Sequence, residues 1–121
     1  EGAERDEHTQ WSVPIRRAEA YLRQRLGEPT MLREAALVAG LSLPRFKARF
    51  KNEVGIPPAE YLQRCRIERA EHGLANSTRS VTEIAFELGF CSSQYFATVF
   101  RRYTRLSPTQ YRAARGESDV G

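Results

Sequence analysis

Apolar residues recur at spacings of three and four along most of the chain, which is the period of an amphipathic helix. The first such series contains Ile15, Ala18, Leu22 and Leu26, and Pro14 stands where a first helical turn tolerates proline. No stretch shows the strict alternation of apolar and polar residues that is typical of a half-buried strand. The pattern therefore predicts an all-α fold.

Seven helices are predicted from this periodicity, and capping signals mark where several of them begin. Ser80 followed by Glu83 is a capping-box pattern, and Ser107 followed by Pro108 places proline at a first helical position. The first helix is expected at about 14–26, and the others at 31–39, 43–54, 58–74, 81–88, 92–103 and 108–114. Further N-cap candidates are Thr30, Ser42 and Ser92.

The chain contains an internal repeat of about 50 residues. An alanine, a glycine four positions later, a serine and two phenylalanines four apart occur twice, and each time a proline and a tyrosine follow. Equivalent residues are 49 apart before the turn and 50 apart after it, because Cys91 is an additional residue in the second turn. The first copy comprises Ala36, Gly40, Ser42, Phe46, Phe50, Pro58 and Tyr61, and the second comprises Ala85, Gly89, Ser92, Phe96, Phe100, Pro108 and Tyr111.

Each copy has the features of a helix-turn-helix unit. The alanine lets the second helix cross closely, the glycine can adopt the left-handed conformation of a tight turn, and the phenylalanine pair anchors the second helix to the core. One such match would be weak evidence, because many helical hairpins have an alanine and a glycine at this spacing. Two matching copies predict two DNA-binding units, at 31–54 and 81–103, joined by a long linker helix at 58–74.

The faces opposite the phenylalanine pairs are the candidate DNA-contacting surfaces. In the first unit the helical period turns Pro44, Lys47 and Ala48 outward, and in the second it turns out Ser93, Gln94, Ala97 and Thr98. Lys47 could donate to guanine, Gln94 could pair with adenine, and Thr98 could bond a base or contact a thymine methyl. Phosphate contacts are expected from cations on or beside these helices, although some could be merely solvated, and the candidates are Arg45, Lys51, Arg101, Arg102 and Arg105.

The linker helix is expected to act as a stiff spacer between the two recognition helices. Contacts on one face of B-DNA require a separation of about 34 Å, one helical turn, between recognition helices. A single chain could then contact two major-groove segments one helical turn apart, as a helix-turn-helix dimer does.

Charge is concentrated in the part of the chain that holds the repeat. The net charge is +4 overall, but residues 31–115 hold 14 Lys and Arg against seven Asp and Glu. A basic helical surface is typical of phosphate-binding proteins, although a solvated charged face is the more common reason for any single such helix. Charge therefore supports the DNA hypothesis without establishing it.

Other function classes find little support in the sequence. The two histidines, His8 and His72, have no catalytic or metal-ligand pattern around them, and Cys65 and Cys91 form no Cys-x-x-Cys motif. We therefore expect no enzyme activity, no metal and no cofactor. No apolar run approaches the roughly 20 residues of a membrane span. The main alternative is a helical protein-docking module without DNA affinity of its own.

Two segments resemble the signature of the AraC/XylS-type transcription regulators. They are Ile84-Ala85-Phe86-Glu87-Leu88-Gly89-Phe90 with the following Ser92 to Phe100, and Leu106-Ser107-Pro108-Thr109-Gln110-Tyr111-Arg112. The resemblance covers about residues 13–114. It implies a homeodomain-like, seven-helix domain at 13–115 that contains two helix-turn-helix subdomains and closes with the helix at 108–114. Segments 1–12 and 116–121 are then expected to be a linker remnant and a flexible tail.

The resemblance also implies partners and a location. Such domains bind asymmetric sites in double-stranded promoter DNA, usually contact RNA polymerase as activators, and act in the cytoplasm on the nucleoid. They are generally attached to an effector-binding or dimerisation domain on the N-terminal side, so such a domain is expected in the parent protein, outside these 121 residues. The family's base-contacting positions coincide with those named above, but Pro44 and Ala48 stand where family members often carry larger or polar residues. Direct base recognition by the first unit is therefore expected to depend mainly on Lys47.

Overall fold

The computed structural model describes residues 10–29 and 31–120, with side chains described as far as Arg115. Within this part of the chain there are seven helices and no strand, so the predicted all-α fold is confirmed. Each helix begins at, or next to, its predicted first residue. The helices are α1 (Val13–Gln24), α2 (Met31–Ala39), α3 (Leu43–Val54), α4 (Pro58–Asn76), α5 (Val81–Glu87), α6 (Ser93–Thr104) and α7 (Pro108–Val120).

The chain divides into two compact units, the first ending at Leu62 and the second beginning at Gln63. In the first unit, α1 and α2 pack against α3 around a core that excludes water completely at several positions. Ile15, Leu22 and Phe46 are among these fully buried residues. The ring of Phe50 lies edge-on to Phe46, with 5.6 Å between the ring centroids. Burying one such large apolar side chain contributes about 1.5–3 kcal/mol to the free energy that favours folding.

The second unit repeats this arrangement with the C-terminal part of α4 in the place of α1. Its core is built from α4, α5 and α6, with Tyr111 of α7 packed against it. Phe96 and Phe100 are fully buried, and their ring centroids are 5.6 Å apart, the same separation as in the first unit. The buried residues are Ile67, Ala70, Leu74, Ile84, Ala85, Leu88, Phe90, Phe96, Val99 and Phe100.

The two turns between the paired helices have the same backbone geometry. Gly40 has a φ of +73°, and the next residue, Leu41, donates its N–H to the carbonyl of Ala36 at 3.0 Å. In the second turn Gly89 has a φ of +86°, and Phe90 donates to Ala85, also at 3.0 Å. Both are Schellman motifs, in which a left-handed glycine lets the chain satisfy the last carbonyls of a helix. The predicted role of the two glycines is confirmed.

Serine caps fix where the recognition helices begin. The Ser42 hydroxyl accepts from the N–H of Arg45 at 3.4 Å, and the Ser92 hydroxyl accepts from Tyr95 at 3.0 Å. Ser92 is thus the cap of α6, and the helix itself starts one residue later than predicted. The capping box predicted at Ser80 is present. Thr30, also predicted as a cap, lies outside the described residues.

Two helices extend by more than one residue beyond their predicted ends. α4 continues to Asn76 and not 74, because the side chains of Asn76 and Ser77 donate to the carbonyls of His72 and Gly73 and so satisfy the last turn. α7 continues to Val120, so the backbone over 116–120 is helical where a tail was expected. A single glycine at 116 costs a helix only about 1 kcal/mol, which does not end it.

The predicted N-terminal linker is wrong for its last residues. Residues 1–9 lie outside the described residues, but Trp11 packs edge-on against Tyr61, with ring centroids 6.5 Å apart. The backbone N–H and the hydroxyl of Ser12 both donate to the Glu53 carboxylate, at 2.7 and 2.9 Å. These contacts join positions more than 40 residues apart, so no local pattern could predict them.

Candidate nucleic-acid interface

The outer face of α3 is the candidate DNA-contacting surface of the first unit. Phe46 and Phe50 point into the core with no exposed surface, which fixes the orientation of the helix. The five predicted contact residues on the opposite side are all exposed, and they are Pro44, Arg45, Lys47, Ala48 and Lys51. The sequence-based orientation of α3 therefore agrees with the structure.

Pro44 lies in the first turn of α3, where its missing N–H removes no helical hydrogen bond. The N-terminal end of the helix carries a partial positive charge and favours anionic groups such as phosphate. Arg45 adds a formal charge there, next to Pro44. Arg45 and Ala48 also line an open groove together with Leu41, Arg49, Asn52 and Glu53.

Arg49 differs from its neighbours because an acidic group of the same helix holds it. Its Nε donates to the Glu53 carboxylate at 3.0 Å, one turn further along α3. Burial acts to raise the pKa of Glu53, but hydrogen bonds from the Ser12 backbone, from Arg49 and from the Ser12 hydroxyl outweigh it and lower the pKa. Glu53 therefore connects the segment before α1 to the recognition helix.

The outer face of α6 is the corresponding surface of the second unit. Gln94, Thr98, Arg101 and Arg102 are exposed, while Ser93 and Ala97 are partly buried. The helical period predicts that Ser93, Gln94, Ala97, Thr98 and Arg101 face outward, but Ser93 lies three residues before the buried Phe96 and so stands near the buried face. Ser93 and Ala97 thus offer less accessible surface than the prediction assumed.

Thr98 has a constraint that sequence reasoning missed. Its hydroxyl donates to the main-chain carbonyl of Gln94 at 3.1 Å. While this bond persists, the hydroxyl can only accept from a base, and its methyl group stays available for apolar contact. Helical geometry allows this back-bond at any threonine, but the rotamer that makes it cannot be predicted from spacing.

Arg105 lies at the C-terminal end of α6 in an unusual backbone conformation. It is exposed, its φ is +71°, and its N–H donates to the carbonyl of Arg101 at 2.8 Å. Gly55 occupies the equivalent position after α3, with a φ of +104° and the same bond to Lys51. Arginine thus stands where the repeat otherwise has glycine, which places its cation at the end of the recognition helix.

Tyr95 is an exposed residue of α6 that the sequence analysis did not include. Its hydroxyl lies 3.5 Å from the amide nitrogen of Gln63, and its ring lies 5.9 Å from Phe90. The repeat offset of 50 aligns Tyr95 with Arg45, which is one of the predicted phosphate contacts. Comparing the two copies position by position would have identified it.

In each unit a tyrosine packs against the second phenylalanine on the buried face of the recognition helix. In the first unit the ring of Tyr61 packs on Phe50, with 5.4 Å between centroids, and its hydroxyl donates to the buried Glu19. Arg23 bonds both partners, at 2.8 Å to the Glu19 carboxylate and 2.7 Å to the Tyr61 hydroxyl. In the second unit Tyr111 packs on Phe100 at 5.5 Å.

The described part of the chain also bears on metal binding, membrane spanning and thiol chemistry. No cluster of three histidine, cysteine or acidic side chains there could hold a metal ion. None of the described helices combines the length and apolar character needed to cross a membrane. Cys65 is buried, whereas Cys91 is exposed in the turn before α6.

Comparison with known proteins identifies the family. A helix-turn-helix domain model matches residues 35–114. The chain is 38% identical over 96 residues to the HTH-type transcriptional activator RhaS of Klebsiella pneumoniae, which covers 79% of this chain and 34% of RhaS. The chain therefore spans about a third of the length of the curated relatives it matches.

Solved structures with the same fold include domains of two regulators. The DNA-binding domain of the global transcriptional factor AdpA, in complex with a target DNA, has a TM-score of 0.83 and 32% identity, covering 91% of this chain and all of that one. The C-terminal domain of the response regulator AraT from Geobacillus stearothermophilus has a TM-score of 0.81 and 28% identity, covering 87% and 88%. With its two helix-turn-helix units, the chain belongs to the AraC/XylS family of transcription regulators, which are not enzymes, and it is a DNA-binding domain of that family.

Proposed function

We propose that this domain recognises two adjacent major-groove segments of promoter DNA, with α3 in one segment and α6 in the other. The observation that carries the proposal is the exposure of equivalent faces on two recognition helices that have the same buried phenylalanine pair behind them. The AdpA domain, which has the same fold, is known in complex with a target DNA. A docking module without DNA affinity is not favoured.

Base recognition is assigned to exposed or partly buried side chains in the N-terminal halves of the two helices. Lys47 donates to guanine O6 or N7, and Gln94 forms a bidentate pair with adenine. Thr98 accepts from a base or contacts a thymine methyl through its own methyl group. The remaining assigned positions supply close or apolar contact, and they are Pro44, Ala48, Ser93 and Ala97.

Phosphate binding is assigned to five exposed cations. Each would neutralise one phosphate and release condensed counterions, which strengthens binding without selecting a sequence. The residues lie near both ends of α3 and at the C-terminal end of α6, and they are Arg45, Lys51, Arg101, Arg102 and Arg105. Arg49 is not assigned, because Glu53 holds it.

The proposal extends to the protein in which this domain works. Its curated relatives are named transcriptional activators, and the domain matches only 34% of the length of RhaS. We therefore propose that it activates transcription through contact with RNA polymerase, inside the cell and on the nucleoid. An effector-binding or dimerisation domain on the N-terminal side would supply the regulation.

The decisive experiment selects binding sites for this domain from a pool of random duplexes of about 25 base pairs, followed by titrations across a salt series. Two preferred boxes about 10 base pairs apart, with affinity that falls steeply as salt rises, are expected. One box alone would mean that one recognition helix contacts only the backbone. No salt-dependent binding would refute the proposal.

A further inference from the structure

Arg112 of α7 makes contacts that the proposed DNA interface does not explain. It is partly buried, and its guanidinium donates to three main-chain carbonyls. Nε bonds the carbonyl of Leu74 at 3.1 Å, and Nη2 bonds that of Ser77 at 3.3 Å and also that of Arg79.

The three carbonyls belong to the place where one helix ends and the next begins. Leu74 lies in the last turn of α4, and Ser77 and Arg79 lie in the segment that leads to Ser80, the cap of α5. Carbonyls at the end of a helix have no partner within it, and a planar guanidinium with five N–H groups can serve several of them at once. Arg112 thus joins the end of α4 to the start of α5.

The residue before Arg112 contacts the recognition helix. Tyr111 packs on Phe100 of α6 at 5.5 Å, so two successive residues of α7 hold α6 on one side and the entry to α5 on the other. The equivalent position in the first unit, 50 residues earlier, is the buried and apolar Leu62. The guanidinium contact is therefore specific to the second unit.

We propose that Arg112 is a positioning residue for base recognition by the second unit. By fixing the segment that enters α5 to the same helix that packs on α6, it determines how α6 is oriented within its helix-turn-helix unit. Arg112 does not contact DNA in this role. The proposal rests on the proposed function, because it requires that α6 contacts bases.

The test compares wild type, Arg112→Gln and Arg112→Lys on three duplexes: the selected site, the site with the first box scrambled and the site with the second box scrambled. Discrimination at a box is the Kd for the site with that box scrambled divided by the Kd for the selected site. Arg112→Gln is expected to lower discrimination at the second box about tenfold, the size of one lost bidentate base contact. First-box discrimination and the salt dependence should stay unchanged.

Arg112→Lys keeps the charge but lacks the planar fork, so it is expected to lower second-box discrimination as well. It also decides the matter if Arg112→Gln does not fold by circular dichroism. Arg115→Gln is the matched control, since it removes an exposed arginine of the same helix that lies over the Tyr111 ring and, within residues 10–29 and 31–115, donates to no main-chain carbonyl.

Three results would overturn the assignment. If a variant bound all three duplexes more weakly by the same factor, and its slope of log affinity against log salt were smaller in magnitude by about 0.9, Arg112 would be a phosphate contact. A lower Tm with both discriminations intact would make it a purely structural residue. Full discrimination in Arg112→Lys would show that the fork is not needed. A wild type that has no second box contradicts the proposed function itself, so the two failures are distinguishable.

Discussion

At the residue scale, the two recognition helices differ in the groups they offer to base edges. α3 presents Pro44 and Ala48, which have no side-chain hydrogen-bonding group, so Lys47 is its only assigned polar base contact. α6 presents Gln94, whose amide can both donate and accept, as adenine requires. A compact ammonium discriminates less strictly than a bidentate amide. We therefore expect the second box to be the more stringent one.

Substitution of these two residues tests that asymmetry. Gln94→Ala should cost about 1–3 kcal/mol on the preferred sequence and abolish the preference at one base pair, because the bidentate pair is lost. Lys47→Ala should reduce the base preference at one position of the first box, by a smaller factor than Gln94→Ala reduces it in the second box. Kd values on duplexes with each base at those positions measure both effects. Equal weakening across all four bases would instead mark either residue as a phosphate contact.

Two glutamates are expected to affect folding stability with opposite signs. Hydrogen bonds from Ser12 and Arg49 lower the pKa of Glu53 despite its burial, so its contribution is present above the unfolded pKa and is lost as pH falls through the folded pKa. Burial, with repulsion from Glu68, raises the pKa of Glu71. The charged form of Glu71 therefore opposes folding as pH rises through that pKa.

Urea unfolding of Glu53→Gln and Glu71→Gln at pH 7 and near pH 3 measures these signs. Glu53→Gln should lower the free energy of unfolding at pH 7, and the deficit should shrink in acid. Glu71→Gln should raise it at pH 7, with a gain that also shrinks in acid. A deficit of Glu53→Gln that is the same at both pH values would contradict the assigned hydrogen bonds to the carboxylate.

At the element scale, the features that sequence predicted are those with local causes. The helical period, the serine caps and the left-handed glycines at 40 and 89 all involve residues within about five positions of one another. The bonds from Ser12 to Glu53 and from Arg112 to Leu74 span 41 and 38 positions, and no spacing rule could identify them. The exposed faces of α3 and α6 were predictable because buried phenylalanines fix the rotation of each helix.

The end of α6 provides a stability prediction. A left-handed backbone costs a residue with a Cβ about 1 kcal/mol, and Arg105 has such a backbone whereas glycine at position 55 does not incur the cost. Arg105→Gly should therefore raise the free energy of unfolding by up to about 1 kcal/mol without DNA, and Gly55→Ala should lower it by about as much. Urea titration measures both variants.

Arg102→Gly is the matched control, since it places glycine inside the same helix and should destabilise by about 1 kcal/mol. If Arg105→Gly destabilised to the same extent, the arginine would be stabilised by contacts that outweigh its backbone strain. DNA affinity of Arg105→Gly should fall in either case, because the variant also removes one assigned phosphate contact.

At the scale of the whole molecule, the excess of positive charge lies in the part that carries both helix-turn-helix units. Residues 31–115 contain twice as many Lys and Arg as Asp and Glu, and several of the acidic groups are engaged within the protein. Glu53 pairs with Arg49, and Glu83 belongs to the capping box of α5. The cations assigned to phosphates are exposed on both recognition helices, so the same electrostatic term should act in each unit.

If both units grip the same duplex, their phosphate contacts should add. Lys51 and Arg101 occupy equivalent positions of α3 and α6, and both are exposed. Log affinity falls with log salt, and Lys51→Gln and Arg101→Gln should each reduce the magnitude of this slope by about 0.9. The double variant should reduce it by about 1.8. Arg115→Gln should leave the slope unchanged. Titrations at four or more salt concentrations provide the slopes. A double variant no different from one of the single variants would mean that only one unit contacts the backbone, because counterion release counts every phosphate neutralised at the same time.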